Sequence, residues 1–483
     1  MNTMSPIIYW YRQDLRTEDL PGLRSAIAEG RPVIPCYILD PQSPGQWAPG
    51  GASRWWLLHS LNALQEVLST QGGHLVLRRG EALAVLRQLI SETGATAVYC
   101  SRQYEPWAVT LEEQLHESLS DQHITFKRFA GSLLFEPERI RNKSGQPFKV
   151  FTPFWRTCRA AAEPPPPQTS SAEADWFSPS PASDDISEWR LYNGTPDWAG
   201  NWLSLWQPGA AGAREKLRNF LGGAIANYDE GRNHPALACT TRLSPHLHFG
   251  EISPREVWYA ARARGNADAG VSDQVDKFLS ELGWREFSHH LMHHFPHIAE
   301  EPFKEQFRKF PWMGTPAALQ AWQRGQTGYP IVDAGMRELW QTGFMHNRVR
   351  MVVASFLTKH LLIHWRAGAN WFWDTLLDAD LANNSSGWQW VAGSGADASP
   401  YFRIFNPVTQ GSKFDRDGVY IRHWVPEIAA LPDRYLNCPW EAPPDVLAQA
   451  GVVLGQHYPA PIVDHKAARE AALAAYGSLR NAS

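Results

Sequence analysis

Residues 378–410 read DADLANNSSGWQWVAGSGADASPYFRIFNPVTQ, dense in carboxylates, amides and aromatic rings and nearly devoid of an aliphatic core pattern. A segment with that balance does not bury itself; it is arranged around something else. Asp378 and Asp380, the amide pair Asn383 and Asn384, and Trp388 and Trp390 are groups that hydrogen-bond a heterocycle and stack on a planar ring.

Around this stretch the chain reads as helical. Pro330 stands at a first helical position, Gly343 fits a C-cap, and Met351, Ala354, Leu357 and Leu361 recur at helical spacing. Residues 207–483 are therefore expected to form an all-α domain. Upstream, residues 131–206 dissolve into Pro, Ser and Asp, with four prolines at 164–167 and SPSPASDD at 178–185. Proline fixes φ and removes a donor, so this span is expected to be a connector without a core element. Residues 1–130 alternate short apolar runs (IIYWY, PVIPCYIL, HLVLRR, TAVYCS, ITFKRF) with amphipathic segments such as Ala82 to Thr93. That interleaving predicts a Rossmann-like parallel sheet in an α/β N-terminal domain. Neither G-x-G-x-x-G nor a Walker lysine loop follows the first run, so the usual phosphate fingerprints are missing.

A chain of 483 residues calls for two domains, and its formal net charge of -4 does not announce a nucleic-acid partner. Any such site must be a local basic patch. Cys36, Cys100, Cys158, Cys239 and Cys438 have no regular spacing, which argues for a reducing compartment and against a zinc site. The N-terminus lacks a secretory pattern and no apolar run approaches the roughly 20 residues of a membrane helix, so a soluble, cytoplasmic protein is expected; a monomer is expected as well. In HHLMHH (289–294) histidines at i and i+4 could bind a metal, but no third ligand has matching spacing. A histidine cluster facing solvent or DNA is expected there, and no metal.

The stretch at 378–410, together with YWYRQDLR (9–16), RLSPHLHFGEISPRE (242–256), ELGWREF (281–287), TGYPIVDAGMRELWQTGFMHNRVRM (327–351) and PAPIVDHKAAR (459–469), resembles the photolyase/cryptochrome family. These blocks span nearly the whole chain in the family's order. GGASRWWL (50–57) and TPDWA (195–199) lean toward the group called class III. The resemblance implies light-dependent repair of cyclobutane pyrimidine dimers in DNA, driven by an electron from reduced flavin adenine dinucleotide (FAD) that returns after ring opening. The rivals are a blue-light photoreceptor of cryptochrome type, against which the short stretch after IVDHKAAR also speaks, and a (6-4) photoproduct enzyme.

The resemblance assigns Tyr228, Thr240, Thr241, Arg242, Leu243 and Ser244 to the flavin phosphates and ribose. TTRLS offers hydroxyls, backbone amides and an arginine, and a helix starting near Ser244 adds its positive end; on residues alone it could be only an N-cap. Asn347, Arg350, Asp378, Ala379 and Asp380 are assigned to the isoalloxazine and adenine. Arg350 is expected to balance an anionic reduced ring, with an ordinary salt bridge to Asp378 as the alternative. Asn384 falls at the position facing flavin N5, where plant-type cryptochromes carry aspartate; it could otherwise cap a helix.

For the lesion, the resemblance assigns Glu281 to the dimer, Trp284 and Trp390 to the pocket walls, and Arg285, Asn347 and Met351 to its lining. Asn347 and Met351 stand where (6-4) enzymes would be expected to carry an additional histidine pair as proton donor, which favours the cyclobutane dimer. Arg232, Arg348, Gln410 and Lys413 are candidates for phosphate contacts, which position DNA without reading sequence. Trp312, Trp365 and Trp388 match the family's electron relay to the flavin. Glu105 resembles the glutamate that binds a 5,10-methenyltetrahydrofolate antenna. An 8-hydroxy-deazaflavin is the alternative antenna, and Glu105 could equally be a strand-end surface acid.

Overall fold

The computed structural model describes residues 4–168, 174–398 and 402–481. Ser399, Pro400 and Tyr401 of the opening stretch and residues 169–173 of the expected connector lie outside the described residues. The chain forms two compact units, Met1–Ala226 with Thr241–Pro296, and Asn227–Thr240 with His297–Ser483.

In the first unit the five apolar runs become strands β1 (Ile7–Tyr11), β2 (Val33–Leu39), β3 (Val76–Arg79), β4 (Ala97–Ser101) and β5 (Thr125–Phe129). They pair in parallel in the order β3-β2-β1-β4-β5. Every residue of β1 is buried, which is why IIYWY shows no alternation of polar and apolar positions. Ile7 stands opposite Val33 on one side and Ala97 on the other. Helices Gly51–Thr70, Ala82–Thr93 and Pro106–Ser120 make crossovers between sequential strands. The strand order reverses at β1 and β4, the kind of crevice where open α/β sheets take ligands.

Two expectations are corrected in this unit. The span read as a connector contains a genuine core element, the helix Phe151–Ala160, which buries Phe151, Phe154, Trp155 and Cys158. Its apolar residues recur at helical spacing, and that periodicity outweighs the Pro-rich composition on either side. The histidine cluster does not face solvent as a whole. On the helix Ser272–His294, His289 and His290 are buried, the Phe148 amide donates to His290 Nε2 at 3.0 Å, and His294 Nε2 meets the Pro137 carbonyl at 3.0 Å. Burial, reinforced by His294 and His293, pushes the His290 imidazole down to about 3, so it is neutral and structural. No group of three or more His, Cys, Asp or Glu among the described residues is arranged to hold a metal.

The second unit is helical. Pro330–Thr342 starts on its proline and stops at Gly343, whose φ of 67° is the left-handed conformation that closes a helix end. The expected continuous spacing from Met351 to Leu361 is broken: Asn347–Ser355 is α-helical and Phe356–His360 is a π-turn, closed by Leu361 N to Phe356 O at 3.0 Å. The wider turn carries Lys359 and His360 inward, and both are buried. Helices Trp365–Thr375 and Leu381–Ala392 pack beside it around a core that includes Trp322, Trp365 and Trp388. All five cysteines are free, and no helix among the described residues is long and apolar enough to cross a membrane.

Candidate functional site

In the second unit, the opening stretch folds into a buried turn followed by a helix. Leu376 to Asp380 are all buried, and Asp380 caps the helix Leu381–Ala392 by accepting from Asn383 N at 2.7 Å and from Asn383 Nδ2 at 2.8 Å. The capping role considered for Asn384 therefore belongs to Asp380. Asn384 sits inside the first turn and donates from Nδ2 to the Ala369 carbonyl at 3.0 Å. With its NH₂ end committed, the amide has its carbonyl oxygen left to act as an acceptor.

Arg350 donates from Nε to the Met345 carbonyl at 2.7 Å and from Nη2 to Asp378 Oδ2 at 2.9 Å. Asp378 Oδ1 is buried and finds no donor among the described residues. Leaving a buried acceptor unmet costs about 1–3 kcal/mol, which a ligand N–H would offset. The imide N–H of a flavin ring is such a donor, so the residues present fit that group. Asn347, the first residue of its helix, is exposed, and Tyr228 and Ala379 are buried.

Arg348 and Lys413 form a basic pair on one ring, and Arg232 belongs to the same unit. Arg348 lies 4.3 Å and Lys413 5.2 Å over the Phe414 ring, and Arg348 Nη2 donates to Asn233 Oδ1 at 2.6 Å. Arg232, beside Asn233, lies 6.0 Å over Tyr228. Met351 is one turn along from Arg348, whose Nη1 reaches its sulfur at 3.9 Å. Gln410 belongs to the helix Pro407–Phe414, and Trp390 is half-buried on the Leu381–Ala392 helix.

The three tryptophans assigned to a relay also lie in this unit. Trp312 is half-buried and packs on His364 at 5.0 Å, and His364 stacks on buried Trp365 at 5.7 Å. Buried Trp388 meets Phe372 at 5.0 Å. Sequence reasoning missed both His364, which bridges the first two rings, and Gly368. A Cβ at Gly368 would stand 2.0 Å from Trp388, so only glycine lets that ring approach the Trp365–Thr375 helix. A glycine amid the aromatics of WRAGANWFW was the available signal. Gly368→Ala is expected to destabilise the protein by about 2 kcal/mol, overpacking outweighing the gain in helix propensity of about 1 kcal/mol. An unchanged or higher urea midpoint would contradict that packing.

In the first unit, Glu281, Trp284 and Arg285 lie within four residues on the helix Ser272–His294, so they share one face. Trp284 stacks on Phe151 at 3.7 Å and 9°, and Arg285 pairs with buried Glu286 at 3.3 Å. Phe151 was missed because it falls in the span read as connector. Thr241 Oγ1 accepts from Leu243 N at 3.2 Å, and Arg242 holds a left-handed φ of 51° with its guanidinium 6.0 Å over Trp206. Ser244 is the first residue within a short helix, Leu243 takes the cap position, and no side chain caps it. TTRLS is thus not a side-chain N-cap. Glu105, at the N-cap position of the helix Pro106–Ser120 that follows β4, is buried rather than a surface acid; its Oε2 accepts from Tyr104 N at 3.3 Å.

A family profile described as DNA photolyase matches residues 7–171, and one described as FAD binding domain of DNA photolyase matches residues 278–478. The chain is 50% identical over 480 residues to a deoxyribodipyrimidine photo-lyase of Agrobacterium fabrum, covering 99% of this chain and 98% of that protein. It is 39% identical over 492 residues to cryptochrome-2 of Arabidopsis thaliana, covering 98% of this chain and 79% of that one. Its fold superposes with a TM-score of 0.95 on the crystal structure of a bacterial class III photolyase from Agrobacterium tumefaciens, at 50% identity over 99% of this chain and 98% of that one.

Proposed function

Since this chain belongs to the DNA photolyase/cryptochrome family, we infer from that membership that it is a light-dependent lyase, a deoxyribodipyrimidine photolyase that repairs cyclobutane pyrimidine dimers in DNA. Full-length likeness to the Agrobacterium enzyme is the observation that carries it. FAD is its cofactor. When bound and reduced, it supplies on illumination the electron that opens the cyclobutane ring and receives it back, with no net redox change.

The protein's own residues bind, orient and balance charge. Arg350, held by the Met345 carbonyl and Asp378, sets a cation against the negative charge of a reduced ring. Asp378 Oδ1, buried and unmet, would accept from an N–H of the ring. Asn384, fixed by Ala369, offers N5 an acceptor and no acidic proton, which favours repair over photosensing. Tyr228 and Thr240 to Ser244 hold the phosphates and ribose. Glu281 hydrogen-bonds the dimer, which must first be flipped out at a cost of a few kcal/mol that damage itself lowers. Trp284, one face already covered by Phe151, offers the other to a base, a contact that contributes about 1–3 kcal/mol. Arg232, Arg348, Gln410 and Lys413 take phosphates, so binding falls with salt and is indifferent to sequence. Residues 1–130 carry the antenna, a 5,10-methenyltetrahydrofolate beside Glu105, with 8-hydroxy-deazaflavin as the second choice.

Reduced protein incubated with ultraviolet-damaged oligonucleotide under blue light is expected to restore intact thymines in the strand, with none restored in the dark. Tight flavin binding without thymine recovery would favour the cryptochrome reading instead.

A further inference from the structure

We propose that Asn233 and Phe414 are positioning residues for DNA binding, which fix the guanidinium of Arg348 before a phosphate arrives. The proposal rests on the assignment of Arg348 to a phosphate. Asn233 is committed at both ends of its amide: Nδ2 donates to the Asp229 carbonyl at 3.0 Å and Oδ1 accepts from Arg348 Nη2 at 2.6 Å. Turning the amide over would set donor against donor and acceptor against acceptor, so its orientation is determined. On another side, Phe414 lies 4.3 Å below the same guanidinium. Phe414 is itself anchored, since His234 Nδ1 meets its carbonyl at 3.2 Å while His234 Nε2 meets Glu230 Oε1 at 2.8 Å.

Asn233 and Phe414 are both neutral, so they restrain a long, flexible side chain without themselves setting an anion against it, as Asp378 is set against Arg350. Less conformational freedom is then lost when a phosphate docks, and the fork is presented in one geometry. Asparagine suits this position because alanine would lose both bonds and aspartate would place an anion where the phosphate's cation must stay available.

The test uses the full-length flavin-loaded protein and fluorescence anisotropy with an oligonucleotide carrying one thymine dimer, titrated across a range of salt. Arg348→Ala is expected to lower the slope of log affinity against log salt by about 1. Asn233→Ala is expected to weaken binding roughly threefold to tenfold, with flavin content unchanged. In the Arg348→Ala background the same substitution should have no further effect, because it acts through that arginine. Phe414→Leu, which keeps bulk and removes the ring's charge distribution, should show the same dependence on Arg348 and serves if Asn233→Ala folds poorly. Wild-type binding by both variants, or an Asn233→Ala loss that persists without Arg348, overturns the proposal. An unchanged slope in Arg348→Ala alone would sink the phosphate assignment beneath it.

Discussion

Trp312→Phe is expected to slow photoreduction of the oxidised flavin by at least an order of magnitude, while repair by chemically pre-reduced enzyme persists. Trp312 is the half-buried member of the three tryptophans assigned to a relay, and its ring contacts His364, which in turn stacks on Trp365. Trp365 and Trp388 are buried on adjacent helices, the second bedded against Gly368, three residues beyond the first. Phenylalanine keeps an aromatic ring against Phe310 and His364, but it is far harder to oxidise than tryptophan. Charge that reaches Trp365 then has no outer ring to move to, and it recombines. Absorbance recorded under blue light with an external reductant reads the first rate, and thymine recovery reads the second. Loss of both together would indicate a folding or binding defect, and retention of both would remove Trp312 from the path.

Arg350→Ala is expected to make the reduction potential of the bound flavin more negative by about 60 mV, a tenfold shift for one electron. The sign follows from charge. A cation stabilises the more negative reduced form, and removing it also leaves Asp378 as an uncompensated anion beside the ring. Arg350 is 24% exposed, so solvent screens part of the effect and the shift stays modest. Asp378→Asn keeps a hydrogen-bonding side chain, removes the negative charge, and is expected to move the potential the other way. Redox titration of both variants decides the matter; if Arg350→Ala leaves the potential where it is in the native protein, the pair is only a bridge between two segments.

The strands were legible because IIYWY and TAVYCS are apolar runs bounded by turn residues, and burial on both faces explains why neither alternates. Pro330 and Gly343 marked a helix correctly at both ends because proline and glycine act through the backbone, independently of tertiary context. The helix Phe151–Ala160 was hidden by prolines nearby, although FTPFW carries its buried face. His290 could not be placed from sequence: whether an imidazole is solvated or buried against Phe148 depends on what packs over it, from a segment 142 residues away. The same holds for His364 between Trp312 and Trp365, and for the Ala369 carbonyl that orients Asn384. Sequence supplied the chemical identity of these groups, while the fold supplies their orientation.

The central claim is that the helical part of the chain retains a flavin, and the absorption spectrum of the purified protein tests it most directly. The expected result is a yellow protein whose flavin bands persist through gel filtration and whose FAD is released on denaturation in a one-to-one ratio with the chain. A colourless protein that also fails to take up FAD on reconstitution would contradict it.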